Sequence, residues 1–572
     1  MLELYMRKIQ QIAFLLSAVL FIGSCDEKPI DDVVLPDEEK DSIVVCPLDS
    51  STLYGTVTNL GKPLAGVVVS DGVNCVQTDT NGIYQLHSTK RSGLVYISLP
   101  SGYAVRGSGT IPGFFKQTAR PAAEAERIDF ELFKDIDQTS HTMLVFGDIH
   151  LFNDKSVSAF AGFRDEINTL TGSGVWPCPY VMTLGDMSWD YYWYATPFGL
   201  NDYLSEMNGI TGLQVFSTVG NHDHDMMIDS RTEYETTGED FTCQDSYRRL
   251  LGPTCYSFNI GGIHYMSIDD VITTDDGTGK DGRGHLRALT QTDREWIRQD
   301  LSFVSKETPI VVGMHIPLFN SKGGDYSSKL GGWDTITSLF DGYDVTFMSA
   351  HTHSLYNNKV DNGGQKVVEW NTGAVCGDFW SSYNKHGVNL CINGSPAGYR
   401  ILTVSGKEMT SEYKATGFDG HHFFRTYDRN TMDFSPSQMC PKAPEGSKQQ
   451  KYWTARAKNY AGPSEENHVY IHVWDMKDGW TLTVTENGAP LVPEKVEAHD
   501  PLFLAANIAG QCNSARENWS IGTTSDVCRQ LYRVTAGSPN STLVVSVTDE
   551  CGHNHTETMT RPKMFSIKKY AR

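Results

Sequence analysis

Residues 143–150 read MLVFGDIH, a hydrophobic run that ends in an aspartate and a histidine. Four later stretches repeat this arrangement: YVMTLGD (180–186), QVFSTVGNHD (214–223), IVVGMH (310–315) and VTFMSAHTH (345–353). Short runs rich in β-branched and aromatic residues predict strands, and the apolar spacing within residues 293–304 predicts a helix between two of them. Strands that alternate with helices and end in polar side chains predict an α/β layered core with a site along one rim.

The five stretches together carry seven side chains that can bind transition metals. They are Asp148, His150, Asp186, Asn221, His315, His351 and His353. Each of them alone has an ordinary explanation as a loop residue or a helix cap. Compatible donors in five separate stretches are hard to obtain by chance, so the set predicts a two-metal hydrolase site. Imidazole, amide and carboxylate donors fit Mn, Fe, Zn, Co or Ni better than Ca or Mg.

The order DxH, GD, GNHD, H and HxH resembles the pattern of the calcineurin-like metallophosphoesterases over residues 143–355. That resemblance implies a core of two β-sheets flanked by helices, and one metal bound by Asp148, His150 and His353. It implies a second metal bound by Asn221, His315 and His351, with Asp186 bridging the pair. A hydroxide held between metals about 3.5–4 Å apart would attack phosphorus. His222 would act as the general acid, with Asp223 or Asp190 orienting its ring.

Two residues depart from related patterns. Ala350 stands where the calcineurin-like pattern has glycine, and it would add about 1–3 kcal/mol of strain if that backbone position requires a positive φ. Trp189 stands where purple acid phosphatases carry an iron-binding tyrosine, which argues against a purple iron centre.

Aromatic residues that are candidates for substrate binding follow Asp186. They are Trp189, Tyr191, Tyr192, Trp193 and Tyr194, and Phe379 and Trp380 are candidates to join them. Such a cluster could stack on a sugar or a base, or could form the packed core of a loop. We expect a small-molecule phosphomonoester as substrate. A phosphodiesterase with the same metal site is the alternative, and a glycan-binding lipoprotein with a non-catalytic metal scaffold is a rival of another class.

The N-terminus has the pattern of an export signal. Basic residues 7–8 precede an apolar stretch at 12–22, and Ile22-Gly23-Ser24-Cys25 resembles the lipobox of bacterial lipoproteins. The resemblance implies that residues 1–25 contain a signal peptide ending at Cys25, and that Cys25 is lipidated. Residues 26–50 are interpreted as an acidic tether. We therefore expect an exported protein anchored to a bacterial membrane, with the outer membrane favoured and its periplasmic or surface face open.

Three folded regions are expected after the tether. Residues 51–134 include LYGTVTNLGKPLAGVVVSDG (53–72), which resembles the carboxypeptidase-regulatory-like β-sandwich. Residues 141–392 form the metallophosphoesterase domain, and residues 395–572 form another β-rich domain. A glycan or protein partner of these β-domains is left open. Histidines 421, 422, 553 and 555 lie in polar, turn-rich stretches without a surrounding framework of carboxylate and histidine ligands, so we do not expect them to bind metal.

The net charge and the cysteine content indicate which partners and which covalent links to expect. A formal net charge of −21 over 572 residues repels phosphate backbones, so nucleic acid is not expected as a partner. Export permits disulfides among the 12 cysteines, and Cys243–Cys255 and Cys512–Cys528 are two close pairs to test first.

Overall fold

The computed structural model describes residues 44–134, 137–228, 233, 236–275, 283–320, 328–329, 331–362, 365–514 and 519–571. Cys25, the signal peptide and most of the acidic tether lie outside these ranges. Within them, no helix is both long enough and apolar enough to cross a membrane.

The N-terminal region is built from short strands separated by turns. Its strands are β1 (Leu53–Asn59), β2 (Lys62–Pro63), β3 (Val68–Ser70), β4 (Cys75–Gln77), β5 (Ile83–Leu86), β6 (Leu94–Ile97), β7 (Tyr103–Ala104), β8 (Gly107–Ser108), β9 (Ile111–Pro112), β10 (Phe115–Gln117), β11 (Glu126–Arg127) and β12 (Phe130–Lys134). One sheet has the order β11-β1-β12-β7, with β2 and β5 also paired to β1, and the other has the order β10-β6-β3-β4. Val57 of the first sheet and Val69 of the second belong to one buried cluster, as expected for a sandwich.

The central region contains two larger sheets. Its strands are β13 (Ser140–Phe146), β14 (Pro179–Leu184), β15 (Val215–Thr218), β16 (Tyr256–Ile260), β17 (Ile263–Ser267), β18 (Val271–Asp275), β19 (Arg283–Arg287), β20 (Ile310–Gly313), β21 (Phe319–Asn320), β22 (Ser328–Lys329), β23 (Val345–Ser349), β24 (Leu355–Asn362), β25 (Gln365–Thr372), β26 (Gly398–Ser405) and β27 (Glu408–Ala415). The sheets have the orders β15-β14-β13-β26-β27 and β16-β17-β20-β23-β25-β24. Strands β13, β14 and β15 are parallel, as are β17, β20, β23 and β25.

Helices cover the outer faces of these sheets and recur in the C-terminal region. The α-helices are α1 (Asp154–Gly172), α2 (Asp190–Ala195), α3 (Leu200–Met207), α4 (Asp245–Leu250), α5 (Gln291–Leu301), α6 (Trp333–Thr337), α7 (Tyr383–His386), α8 (Pro436–Met439), α9 (Lys448–Arg456), α10 (Pro501–Phe503) and α11 (Ala509–Cys512). Helix α5 corresponds to the helix predicted over residues 293–304, and Thr290 caps it by accepting the Asp293 N–H.

The core follows from the alternation of apolar residues along the strands. In β13, Met143 and Val145 point into the cluster shared by the two sheets, whereas Leu144 and Phe146 point toward the helices. A strand buried on both faces needs such an uninterrupted apolar run. The predicted α/β core of two sheets flanked by helices, with β-rich regions at both ends, is confirmed.

The end of the central region differs from the expected boundary at residues 392–395. Strand β26 pairs antiparallel with β13 from Ser140↔Ser405 to Val145↔Arg400, and β27 continues the sheet as its edge strand. Residues 398–415 therefore complete the sheet β15-β14-β13-β26-β27 instead of starting the next domain. We call it the catalytic sheet because β13, β14 and β15 end close to predicted metal ligands. Local sequence could not show this, because the pairing partner lies more than 250 residues earlier.

The C-terminal region contributes two further sheets. Its strands are β28 (Phe424–Asp428), β29 (His468–Val473), β30 (Thr481–Glu486), β31 (Ala489–Leu491), β32 (Glu494–His499), β33 (Val527–Thr535), β34 (Leu543–Thr548) and β35 (Asn554–Met559). Their orders are β28-β29-β33-β32 and β31-β30-β34-β35. The region is tied to the catalytic sheet by a buried ion pair between Arg400 and Asp475, at 3.2 Å. A buried pair of this kind is costly to break, because removing either partner leaves the other charge uncompensated.

The cysteines that the structure describes are all free thiols, so neither predicted disulfide is formed here. Cys512 has Cys440 as a neighbour, and the hydrogen bond between the two thiols raises the pKa of Cys440. Asn513 also holds the two segments together, since its side chain accepts the Lys442 N–H and donates to the Met439 carbonyl. Spacing along the chain does not reveal such a tertiary neighbour.

Candidate metal centre

The seven predicted ligands converge at one rim of the two central sheets. Each lies two or three residues beyond the end of β13, β14, β15, β20 or β23, apart from His150 and His353, which lie four residues beyond β13 and β23. Five of the seven adopt a positive φ between 46° and 63°: Asp148, His150, Asp186, His351 and His353. A positive φ strains the backbone of residues other than glycine, and such strained residues cluster at functional sites. The loops are therefore shaped to turn these side chains toward one point.

Glycines allow the loops to approach each other closely. A Cβ on Gly220, just before Asn221, would lie 2.3 Å from the backbone nitrogen of Asp186. Gly185 has a φ of 88°, and a Cβ there would lie 2.7 Å from His315 Nδ1. Ala350, in contrast, is not among the residues with positive φ, so the strain considered for this alanine does not arise.

One half of the site is formed by Asp148, His150 and His353. Nε2 of His353 lies 3.2 Å from Nε2 of His150 and 3.6 Å from Oδ1 of Asp148. The other half is formed by Asn221, His315 and His351. Nε2 of His315 lies 2.9 Å from Oδ1 of Asn221 and 3.0 Å from Nδ1 of His351.

Asp186 lies between the two halves. Its Oδ2 is 3.4 Å from Nε2 of His150 and 3.3 Å from Nε2 of His315, so a single carboxylate oxygen contacts both groups. Its other oxygen accepts the His222 backbone N–H at 2.8 Å, which fixes the orientation of the carboxylate. This is the placement required of a ligand that bridges two ions.

Burial and charge prepare these side chains for a cation. Burial lowers the pKa of His353 to about 3 and that of His351 well below its usual value, so both imidazoles are neutral, the form that binds metals. Burial also acts to lower the pKa of His315, but Asp186 and Asp148 outweigh it and raise the pKa to about 10. The two carboxylates thus attract positive charge, which metal ions would supply.

One buried polar atom supports the fit of a metal. Oδ2 of Asp148 has no hydrogen-bond partner among the residues that the structure describes, although Asp148 is fully buried. Unpartnered buried polar atoms are rare and costly, and coordination of an ion is one way to satisfy such a group. The donor set of four histidines, two aspartates and one asparagine suits transition metals.

Neighbouring groups hold the ligands in place. Nδ1 of His315 contacts the Leu184 carbonyl at 2.7 Å, and Nδ1 of His353 contacts the Gly377 carbonyl at 2.7 Å. These contacts leave Nε2 of both rings directed into the site. Asp270, which the sequence analysis missed, accepts the backbone N–H groups of His315 and Ile316. It directly follows Asp269 beyond strand β17, and that position after a hydrophobic run was the available signal.

His222 lies beside the ligands with its ring held by Asp190, which is 2.8 Å from Nδ1. Asp223, the other candidate to orient the ring, instead accepts the backbone N–H groups of Met187 and Gly220 and so joins two ligand loops. Burial acts to lower the pKa of His222, but Asp186 and Asp190 outweigh it and raise the pKa. A protonated imidazole with Nδ1 occupied by Asp190 is suited to donate a proton from Nε2.

The aromatic candidates divide into two groups. Trp189 faces the site, with its ring centroid 5.8 Å from that of His150 and 5.1 Å from that of His222. Phe379 stacks on Trp189 at 5.0 Å and lies 4.4 Å from His353, so the two rings form one wall. We name Trp189 and Phe379 the aromatic wall.

The remaining aromatic candidates have structural contacts. The Trp380 indole is buried and donates to the Ile149 carbonyl, and Trp193 donates to the Ser188 hydroxyl. Tyr192 stacks on Phe152, and Tyr191 is exposed with its ring against Tyr192. Packing therefore explains Trp380, Trp193 and Tyr192, and Tyr191 faces solvent, whereas Trp189 remains a candidate for contact with substrate.

His285 was not recognised from the sequence. It lies on β19, and its ring stands perpendicular to that of His351 at 5.2 Å. The sequence places it in a glycine- and aspartate-rich stretch far from the ligand motifs, so only the β18–β19 hairpin brings it to the site.

Three family models match the chain in series. The model described as calcineurin-like phosphoesterase matches residues 141–355. The model for the N terminal of calcineurin-like phosphoesterase matches residues 51–135, and the model for the C terminal matches residues 369–555. No curated protein matches the sequence.

Solved structures that match this chain share little sequence with it. A dimetal phosphatase from Danio rerio has 10% identity and a TM-score of 0.33, over 48% of this chain and 96% of that chain. Purple acid phosphatase PPD1 from yellow lupin seeds has 12% identity and a TM-score of 0.34, over 63% and 68%. PhoD has 9% identity and a TM-score of 0.31, over 72% and 84%.

Proposed function

The chain carries a calcineurin-like phosphoesterase domain between its matching N- and C-terminal domains, and from that premise we propose that it hydrolyses phosphomonoesters outside the cytoplasm. The observation that carries the reaction type is the contact of one Asp186 oxygen with both His150 and His315. When bound there, two transition-metal ions would supply a nucleophilic hydroxide and offset the charge of the phosphate oxygens.

The protein's own groups would position the ester and its leaving group. Nε2 of His222 holds the proton that the departing oxygen requires, and Asp190 stabilises the protonated ring through Nδ1. The aromatic wall borders this position and would exclude water from one side of the leaving group. These residues favour hydrolysis of esters whose leaving group departs slowly unless it receives a proton.

Charge supports a monoester in preference to a diester. Only Asp148 and Asp186 among the seven ligands carry negative charge, and a divalent metal pair would bring about four positive charges. Even with a hydroxide present, the buried site would retain a positive surplus. That surplus attracts a monoester dianion more strongly than a diester monoanion, because the Coulomb energy scales with the charge of the ester.

Comparison of two aryl substrates tests this preference. We expect metal-loaded protein to turn over p-nitrophenyl phosphate at least about tenfold faster than bis-p-nitrophenyl phosphate, in line with a difference of about 1.4 kcal/mol in barrier. Protein treated with a chelator is the control for metal dependence. Faster turnover of the diester would refute the monoester assignment while leaving the phosphoesterase assignment intact.

The lipobox resemblance at Ile22–Cys25 supports the proposed export and anchoring. We expect full-length protein expressed in a bacterium with lipoprotein processing to fractionate with the membrane, and Cys25→Ser to appear in the soluble fraction. Cys46→Ser, at an exposed cysteine near the first strand, is the matched control and should stay with the membrane. Membrane association of Cys25→Ser equal to wild type would contradict the lipid anchor.

A further inference from the structure

A second group of metal-ligand side chains lies where the C-terminal region meets the edge of the catalytic sheet. Glu412 belongs to the edge strand β27, His421 to the segment after it, and His553 to the turn between β34 and β35. One potential ligand atom from each of the three lies within 4.8 Å of the others. We propose that Glu412, His421 and His553 form a further transition-metal site, here called the interdomain site, that fastens the C-terminal region to the catalytic sheet.

The contacts among these residues carry the proposal. Nδ1 of His421 lies 2.7 Å from Oε1 of Glu412, and the rings of His421 and His553 stack in parallel with centroids 3.7 Å apart. Residues from three separate segments are thus held together with ligand atoms in reach of one ion.

Asp549 orients His553 in the way that outer carboxylates orient metal-binding histidines. Its Oδ2 lies 2.8 Å from Nδ1 of His553, and its Oδ1 accepts the His553 backbone N–H at 2.7 Å. Asp549 is buried, whereas the side chain of His553 is 42% exposed. The carboxylate therefore fixes the ring within the turn and leaves Nε2 free toward solvent and the neighbouring ligands.

The two other nearby histidines have different roles, which limits the site to three protein ligands. Nδ1 of His555 accepts the Phe423 backbone N–H, and the ring of His422 packs between Phe418 and Trp474. From the sequence, no metal role was expected for histidines 421, 422, 553 and 555, because no framework of ligands was visible around them. The structure adds two carboxylates: Glu412, nine residues before His421, and Asp549, four residues before His553.

Zinc is the ion that we use to test the site, because two imidazoles and a carboxylate are common zinc ligands. With bonds of about 2.0–2.2 Å, tetrahedral ligands lie about 3.3–3.6 Å apart. To close the site, one of the two stacked rings would turn toward the ion and the ligand atoms would move by about 1 Å. A fourth position would remain for solvent. The interdomain site lies outside the candidate metal centre and goes beyond the proposed hydrolysis.

The number of zinc ions per chain distinguishes the candidate metal centre from the interdomain site. It is measured by elemental analysis of the full chain after zinc loading and gel filtration. We expect three ions in the wild type and two in Glu412→Gln, His421→Gln and His553→Gln. His87→Gln, at an exposed histidine of the N-terminal region, is the matched control and should keep three. Asp549→Asn should weaken zinc binding at this site about 10–100-fold in a calorimetric titration.

The outcomes separate this proposal from the proposed function. The same number of bound ions in wild type and in all three ligand variants would overturn the interdomain site, and Glu412 and His421 would then be a hydrogen-bonded pair only. One ion in the wild type and none in those variants would support the interdomain site and contradict the two-metal centre instead. Zinc should also raise Tm by a few degrees in the wild type, and this increment should be smaller in His553→Gln.

Discussion

Replacing Asp186 with asparagine should remove both metals from the candidate centre and lower phosphoester turnover by about 10³-fold or more. The expectation rests on Oδ2 of Asp186, which contacts His150 of one half of the site and His315 of the other. An amide oxygen carries no full negative charge, so it would neither hold two cations together nor offset their repulsion. The measurement is bound metal per chain together with the rate of phosphate release.

The fold should survive this substitution. Asparagine keeps an oxygen that can accept the His222 backbone N–H, and it retains the volume of the aspartate. Asp341→Asn, at an exposed aspartate after α6, is the matched control and should leave metal content and rate unchanged. Asp186→Asn with the wild-type complement of metals and the wild-type rate would show that Asp186 does not bridge them.

Replacing His222 with alanine should leave the metals in place but lower turnover of alkyl phosphates by about 10²–10⁴-fold. The departing alkoxide of such esters requires a proton, which His222 is placed to donate from Nε2 while Asp190 holds Nδ1. Esters of 2,4-dinitrophenol have a leaving group that departs without a proton, so their turnover should fall far less. The measurement is the dependence of rate on the pKa of the leaving group.

Asp190→Asn tests the contact that orients His222 and should give a smaller loss with the same dependence on the leaving group. Asp225→Asn is the matched control. Asp225 belongs to the same loop as His222, but its carboxylate contacts the Tyr194 hydroxyl instead of His222. An equal loss for alkyl and dinitrophenyl esters in His222→Ala would contradict proton donation and indicate a role in binding phosphate.

The sequence was sufficient for the fold class because the strands that carry ligands are buried on both faces. The uninterrupted run Met143–Phe146 and the polar residues directly after it identify both a buried strand and its functional end. The same reasoning placed the histidines and aspartates of all five motifs at one rim. It required only local patterns and the general rule for the ends of parallel strands.

Features that depend on contacts between distant segments of the chain could not be predicted from the sequence. Strand β26 joins the catalytic sheet through β13, and nothing within residues 398–405 identifies that partner. His285 reaches His351 only through the β18–β19 hairpin, and His553 stacks on His421 although the two lie far apart in the sequence. Two candidates to orient His222 were likewise equivalent in sequence, and only the contact of Asp190 distinguishes it from Asp223.

The aromatic stretch after Asp186 shows that residue type alone does not identify which side chain faces the site. Trp189, Tyr191, Tyr192 and Trp193 are chemically similar and nearly consecutive, yet only Trp189 among them has ring contacts with both His150 and His222. Its stacking partner Phe379 lies 190 residues further along the chain. Side-chain direction within this short helical turn, which residue type does not determine, separates the candidate for substrate contact from the packing residues.

Anomalous diffraction from crystals of Mn²⁺-loaded protein tests the central claim most directly. Two peaks about 3.5–4 Å apart should flank the Asp186 carboxylate, one near Asp148, His150 and His353 and the other near Asn221, His315 and His351. A single peak, or peaks that leave Asp186 without a contact, in protein that hydrolyses phosphoesters would contradict a dinuclear centre built on these seven residues.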